Sequence, residues 1–277
     1  MKSLSSLLIT SALIATSTTA SAALVAGDIA LVGFQASGSP SDSFSFATLV
    51  NVDAGTVLYF TDNGFSTGAS AGFRGVTGGP TPAADNDGNE GLIKYTVGAN
   101  GLAAGQVVSS LSTNTANGAW TLTGFIYGTT VGSGSYAPLS FSASGEQFTV
   151  FQSSNAQPML SGYTALYNFD NTGVYEAAGS SSTGQLAPGL VQGTSAVLLN
   201  NTTNSFQNFN FAAFSGPADR DTWLARIGNA ANWTFAGTSG VPVPTNVADG
   251  SFSVGAVPTP GAAALLVLAG LVARRRR

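Results

Sequence analysis

The sequence predicts an all-β protein: a single antiparallel β-sandwich or jelly-roll-like domain with one short helix near its C-terminal end. Two observations carry that expectation. Strand-length segments rich in β-branched and aromatic residues recur along the chain, and glycine, serine and threonine fill the stretches between them, with 35 glycines in 277 residues. A third supports it: the chain has no cysteine, so its body must hold itself together by burial alone, and residues 23–257 suffice for one large β domain.

Taken in order, the expected strands are DIALVGF (28–34), SFSFATLV (43–50), TVLYFT (56–61), LIKYTV (92–97), QVVSSL (106–111), EQFTVFQ (146–152), TALYNF (164–169) and AVLLN (196–200). Their number and spacing suit two packed sheets. Asp62-Asn63-Gly64 reads as a turn closing the third strand, because these residues tolerate positive φ. The helix is expected after Gly216-Pro217, with Asp219 and Asp221 in its first turn, Trp223, Leu224 and Ile227 on one face, and Gly228 as its stop. Its expected role is packing across the sandwich.

The two ends read differently from the body. Lys2, an apolar run from Leu4 to Ala15 and the small-residue site Ala20-Ser21-Ala22 form a secretory signal peptide over residues 1–22, with cleavage by signal peptidase between Ala22 and Ala23. At the other end, residues 258–277 carry an apolar run from Gly261 to Ala273 followed by Arg274, Arg275, Arg276 and Arg277. Basic residues beside an apolar helix stay on the cytoplasmic side. The run is shorter than the ~20 residues of a relaxed spanning helix, which suits a temporary transmembrane handle better than a permanent anchor.

Val257-Pro258-Thr259-Pro260, the Ala/Leu/Gly helix and the arginine cluster together resemble the PEP-CTERM sorting signals of diderm bacteria. Threonine stands where the name-giving glutamate sits. The resemblance covers about the last twenty residues. It implies cutting near the proline motif by a membrane-embedded cysteine transpeptidase, the exosortase, after transient residence in the inner membrane. The implied destination is the cell surface or extracellular matrix, in organisms that make exopolysaccharide and biofilm.

With both signals removed, four basic residues (Arg74, Lys94, Arg220, Arg226) face all thirteen acidic ones, a net charge of −9. Such a body does not bind nucleic acid by counterion release, nor does it read as a basic membrane-surface module. The absence of histidine and cysteine removes the Ser-His-Asp triad, cysteine nucleophiles and ordinary zinc or copper sites. Gly64-Phe65-Ser66-Thr67-Gly68 and Gly68-Ala69-Ser70-Ala71-Gly72 both match the G-x-S-x-G pattern. A nucleophile elbow needs a following helix and a histidine base, and this stretch offers neither.

GDIALVGF, DAGTVLYFTDNGF, NEGLIKYTV with GLAAGQVV, SASGEQFTVFQ and NAANWT resemble uncharacterised domains of secreted bacterial proteins. The resemblance spans most of residues 27–235. It implies a lamin-tail-like β-sandwich and brings no catalytic residues with it.

One cluster has ligand chemistry: Asp85-Asn86-Asp87-Gly88-Asn89-Glu90. Alternating side-chain oxygens around a glycine turn wrap calcium, and Asp85, Asp87, Asn89 and Glu90 are the candidate ligands. Thr96 stands where an EF-hand has its twelfth-position glutamate, so a solvated acidic turn is the competing reading.

Three function classes follow. The first is a non-catalytic, monomeric surface or matrix protein. The second is a carbohydrate-binding module, with Trp120, Tyr127, Tyr136 or Tyr163 as stacking platforms. The third is a carboxylate-based glycoside-active enzyme, which works without histidine and would need two of Glu90, Glu146 and Glu176 close together.

Overall fold

The computed structural model describes residues 23–36, 42–67, 71–74, 91–121, 139, 141–142, 145–177, 183–237 and 249–255. The residues Ala20, Ala22, Asp85, Asp87, Asn89, Glu90, Tyr127 and Tyr136 and the whole tail from Val257 to Arg277 lie outside the described residues.

Two six-stranded sheets make a sandwich-like body, with a single α-helix among the described residues. The first contains β1 (Ile29–Gln35), β2 (Ser43–Thr48), β7 (Gln106–Ser109), β12 (Phe206–Phe209), β13 (Trp233–Ala236) and β14 (Gly250–Ser251), in the order β13-β12-β1-β2-β7-β14. The second contains β3 (Val57–Thr61), β6 (Leu92–Val97), β8 (Gly118–Thr121), β9 (Gln147–Ser153), β10 (Tyr163–Asp170) and β11 (Ala196–Leu198), in the order β11-β10-β9-β3-β6-β8. All eight expected strands form. Among the described strands pairing is antiparallel except that β11 runs parallel to β10, which makes a largely antiparallel body.

The main core lies between the sheets. Phe34, Phe44, Phe46, Phe60, Phe148 and Phe169 meet there, with Phe44 and Phe148 at 4.7 Å in an edge-to-face arrangement and Phe34 stacked on Phe169 at 4.7 Å. Such aromatic pairs add to the burial of large apolar area.

The outer face of the second sheet is also covered. A short hairpin of β4 (Phe65–Ser66) and β5 (Gly72–Phe73) lays Phe65 and Phe73 over Tyr59 and Phe151, forming a second apolar cluster with Met159, Ala165, Ala187 and Leu190. Ser66 thus sits in a strand, and the next element among the described residues is strand β5 instead of the helix a nucleophile elbow needs.

A bulge in β10 decides which residues face which layer. The pairing of β10 with β9 shifts between Ala165 and Tyr167, so Leu166 and Tyr167 both join the main core. The extra residue reverses the alternation. Tyr167 and Phe169 then point inward, and the polar Asn168 and Asp170 share the outer face with Thr149 and Gln147 of β9.

Helix α1 (Arg220–Ile227) forms in the expected segment but starts at Arg220, so of the two acids expected in its first turn only Asp221 lies there. Asp219 is its N-cap and accepts from the Thr222 N–H at 2.7 Å, and Trp223, Leu224 and Ile227 are its buried face. Both ends of the body are tied to it. Arg220 bonds Asp28 at 2.8 Å and the Ala26 carbonyl at 2.7 Å, while Trp223 donates its indole N–H to the Ser253 carbonyl at 2.9 Å.

Candidate functional site

The strongest concentration of polar chemistry is a buried seam on the outer face of the second sheet, where the C-terminal ends of β3 and β10 meet the N-terminal end of β9. Thr61 stands beside Thr149, and Thr149 beside Asn168; one step further along, Gln147 stands beside Asp170. Asp62, Asn63, Glu146, Asp170 and Asn171 are all fully buried, and Arg74 nearly so.

Asp62-Asn63-Gly64 follows directly on the end of β3, as expected of a segment closing that strand, and it is buried. The Thr61 hydroxyl donates to the Gly91 carbonyl at 2.7 Å, and the Asn63 side-chain amide donates to the Thr61 oxygen at 2.8 Å. Gly64 does not adopt a positive φ; a Cβ there would stand 2.2 Å from the Thr183 carbonyl oxygen. Glycine is required by close approach of another backbone.

Hydrogen bonds tie the seam to its surroundings. Gln147 accepts from the Phe65 N–H at 2.8 Å and donates to the Gln185 carbonyl at 3.3 Å, so one side chain joins the sheet to its outer cover. Glu146 accepts from the Ser142 N–H at 2.8 Å, and the Asn171 side chain accepts from the Glu146 N–H at 2.8 Å. Glu176 receives the Thr183 hydroxyl at 2.8 Å.

Asp170 is the titratable group with a shift of functional interest. Burial pushes its carboxyl up to about 6, hydrogen bonds from the Thr172 hydroxyl and N–H oppose this, and the nearby Glu176 charge pushes it further up. Burial first, and then the Asp170 charge, hold the Tyr175 phenol above its usual range. Asp170 thus ionises near neutral pH in an environment that disfavours the charge.

Of the carboxylates considered for glycoside chemistry, Glu90 lies outside the described residues, Glu176 is half-buried and Glu146 is buried. A general acid must touch the leaving oxygen, whereas Glu146 is fully buried and bonded to its own loop. Among the described residues no group of three or more Asp and Glu side chains is placed to hold a metal ion. The calcium ligands expected at Asp85, Asp87, Asn89 and Glu90 fall outside the described residues.

Of the aromatic candidates for sugar stacking, the two described ones, Trp120 and Tyr163, are half-buried and pack on other rings. Trp120 lies 4.6 Å from Tyr95 and 5.3 Å from both Phe44 and Phe60, and it donates its indole N–H to the Ser109 carbonyl at 3.2 Å. Tyr163 packs on Phe73 at 5.1 Å and Phe65 at 5.9 Å. An open depression of about 520 Å³ beside Gly55, Gln152 and Thr164 is lined by neutral small and polar residues.

No protein-family model matches this chain, and neither a curated protein nor a solved structure matches it. Among the described residues no helix is long and apolar enough to cross a membrane.

Proposed function

We propose that this chain is a non-catalytic, monomeric surface or extracellular-matrix protein, exported by its signal peptide and delivered by a PEP-CTERM-like tail that an exosortase-like enzyme removes. Its body is a lamin-tail-like, jelly-roll-related sandwich, and its setting is exopolysaccharide or biofilm. The observation that carries the reading is the three-part order of the tail: Val257-Pro258-Thr259-Pro260, an apolar run, then four arginines. The inward use of the acids and aromatics supports a structural body: Glu146 and Asp170 are fully buried, and Trp120 and Tyr163 pack against other rings.

The test uses residues 23–257 without the signals, applied to the producer's own exopolysaccharide and a glycan panel. Retention and release of reducing ends are measured together. The reading expects no release of reducing ends. Release that disappears in Glu146→Gln would overturn it, because an amide replaces neither an acid nor a nucleophile. Retention without release would make the protein a carbohydrate-binding module.

A further inference from the structure

The strap that ends the described chain, residues 249–255, is fastened to the body along its length. The Ser109 N–H and the Ser112 hydroxyl donate to Asp249 at 2.8 and 2.6 Å. Gly250 and Ser251 pair with Val107 and Gln106, and the Phe252 N–H donates to the Gly105 carbonyl at 2.8 Å. The ring of Phe252 lies 4.5 Å from that of Trp223. The Gly255 N–H donates to the Ala218 carbonyl at 2.7 Å, so the described chain ends beside Ala218.

That end is bordered by an uncharged segment, Phe211-Ala-Ala-Phe-Ser-Gly-Pro-Ala218. Ala212, Ala213, Ser215, Gly216 and Pro217 are exposed, and Phe211, Phe214 and Phe252 are half-buried. The Arg226 guanidinium lies 4.8 Å over the Phe214 ring. The charge of the segment differs from that of the body, which carries nine more acids than bases. A half-buried aromatic cluster with a cation at its rim is chemistry suited to a lipid–water interface. Asp219 and Asp221 follow directly in sequence, so the uncharged apron is narrow.

Five residues, 256–260, separate the fastened Gly255 from the apolar run that begins at Gly261. Fully extended they reach about 18 Å at most. A headgroup layer is about 5–7 Å thick on each side of the hydrocarbon, so a body tethered this closely lies against the membrane on its Gly255 side.

We infer that residues 211–218, with Phe252, form a surface that rests on the lipid bilayer while the tail is attached. This rests on the tail spanning the membrane as proposed above. The occupant is the bilayer surface itself, and the strap sets the orientation by fixing where the chain leaves the fold.

The natural absence of cysteine makes single-site labelling direct. Residues 23–277 carrying a fluorophore at Ala213→Cys, or at Asn114→Cys beyond the Asp249 end of the strap, are reconstituted into phosphatidylcholine vesicles containing a brominated phosphatidylcholine. Both proteins should float with the vesicles, and the probe at 213 should be quenched at least twofold more than the probe at 114. Flotation with equal quenching at the two positions would overturn the docking surface and leave the spanning tail standing. Failure of both proteins to float would overturn the spanning tail, and the docking surface with it.

Discussion

Asp170 is buried without an ion pair among the described residues, and its neighbours Thr172, Gln147, Tyr175 and Glu176 include no cation. Its carboxyl is raised from 3.8 to about 6, so between those values the folded state holds a proton that the unfolded state has released. Stability from this group is full below pH 3.8 and is lost as pH rises through 6. The loss is at most about 3 kcal/mol, at 1.36 kcal/mol per unit. Comparing urea midpoints at pH 5 and 7.5, Asp170→Asn should remove most of this slope; an unchanged slope would assign the pH dependence to other carboxylates. Gly64 makes a different residue-level prediction. Its added Cβ would meet the Thr183 carbonyl at 2.2 Å, so Gly64→Ala should cost about 1–3 kcal/mol through overpacking, measured by urea unfolding. Neither role was legible in Asp62-Asn63-Gly64 or in NFD, because an Asx-Gly sequence reads only as a turn until the Phe65–Phe73 hairpin and the 183–185 segment cover it from distant parts of the chain.

At the scale of elements, eight strands and α1 were legible because branched and aromatic residues, or helix-start and helix-stop residues, lie within each segment; β8, β12 and β13, four residues each, were not expected. LIKYTV matches β6 over its full length (92–97), and the Asp219 cap and Gly228 stop bound the helix. The two-residue strands were missed for a physical reason. β14 is two residues, Gly250–Ser251, and exists through its pairing with β7; β4 and β5 exist through each other and the ring contacts of Phe65 and Phe73. The parallel pairing of β11 and the bulge at Leu166 likewise depend on neighbouring strands, not on local propensity. The strap is held in part by one indole hydrogen bond, Trp223 to the Ser253 carbonyl. Trp223→Phe keeps a ring in place and deletes that donor, so it should lower stability by about 1 kcal/mol and raise amide exchange at Phe252 and Gly255 more than in β9. Uniform exchange across both would contradict a locally held strap. In the main core, Phe148→Ala should cost about 3–5 kcal/mol.

On the scale of the whole molecule, the sandwich-like body and the two ends differ in charge and, on the proposed reading, in role. The body carries all thirteen acids, hydrogen-bonds Glu146 and Asp170 within a buried seam, and packs its candidate sugar-binding rings Trp120 and Tyr163 against other aromatics. The ends carry five of the nine basic residues and, on the proposed reading, leave with processing. Replacing Arg274 to Arg277 by uncharged residues should release unprocessed protein, because the positive flank no longer holds the apolar run across the bilayer; immunoblots of cell and medium fractions would register it. The proposal of an exported, tail-processed surface protein is tested most directly by intact-mass and peptide mass spectrometry of the protein recovered from outside the producing cell. The account predicts a mature N-terminus at Ala23 and no peptide from Gly261 onward, with the strap residues 249–255 retained; recovery of surface protein with Arg274 to Arg277 still attached would contradict it.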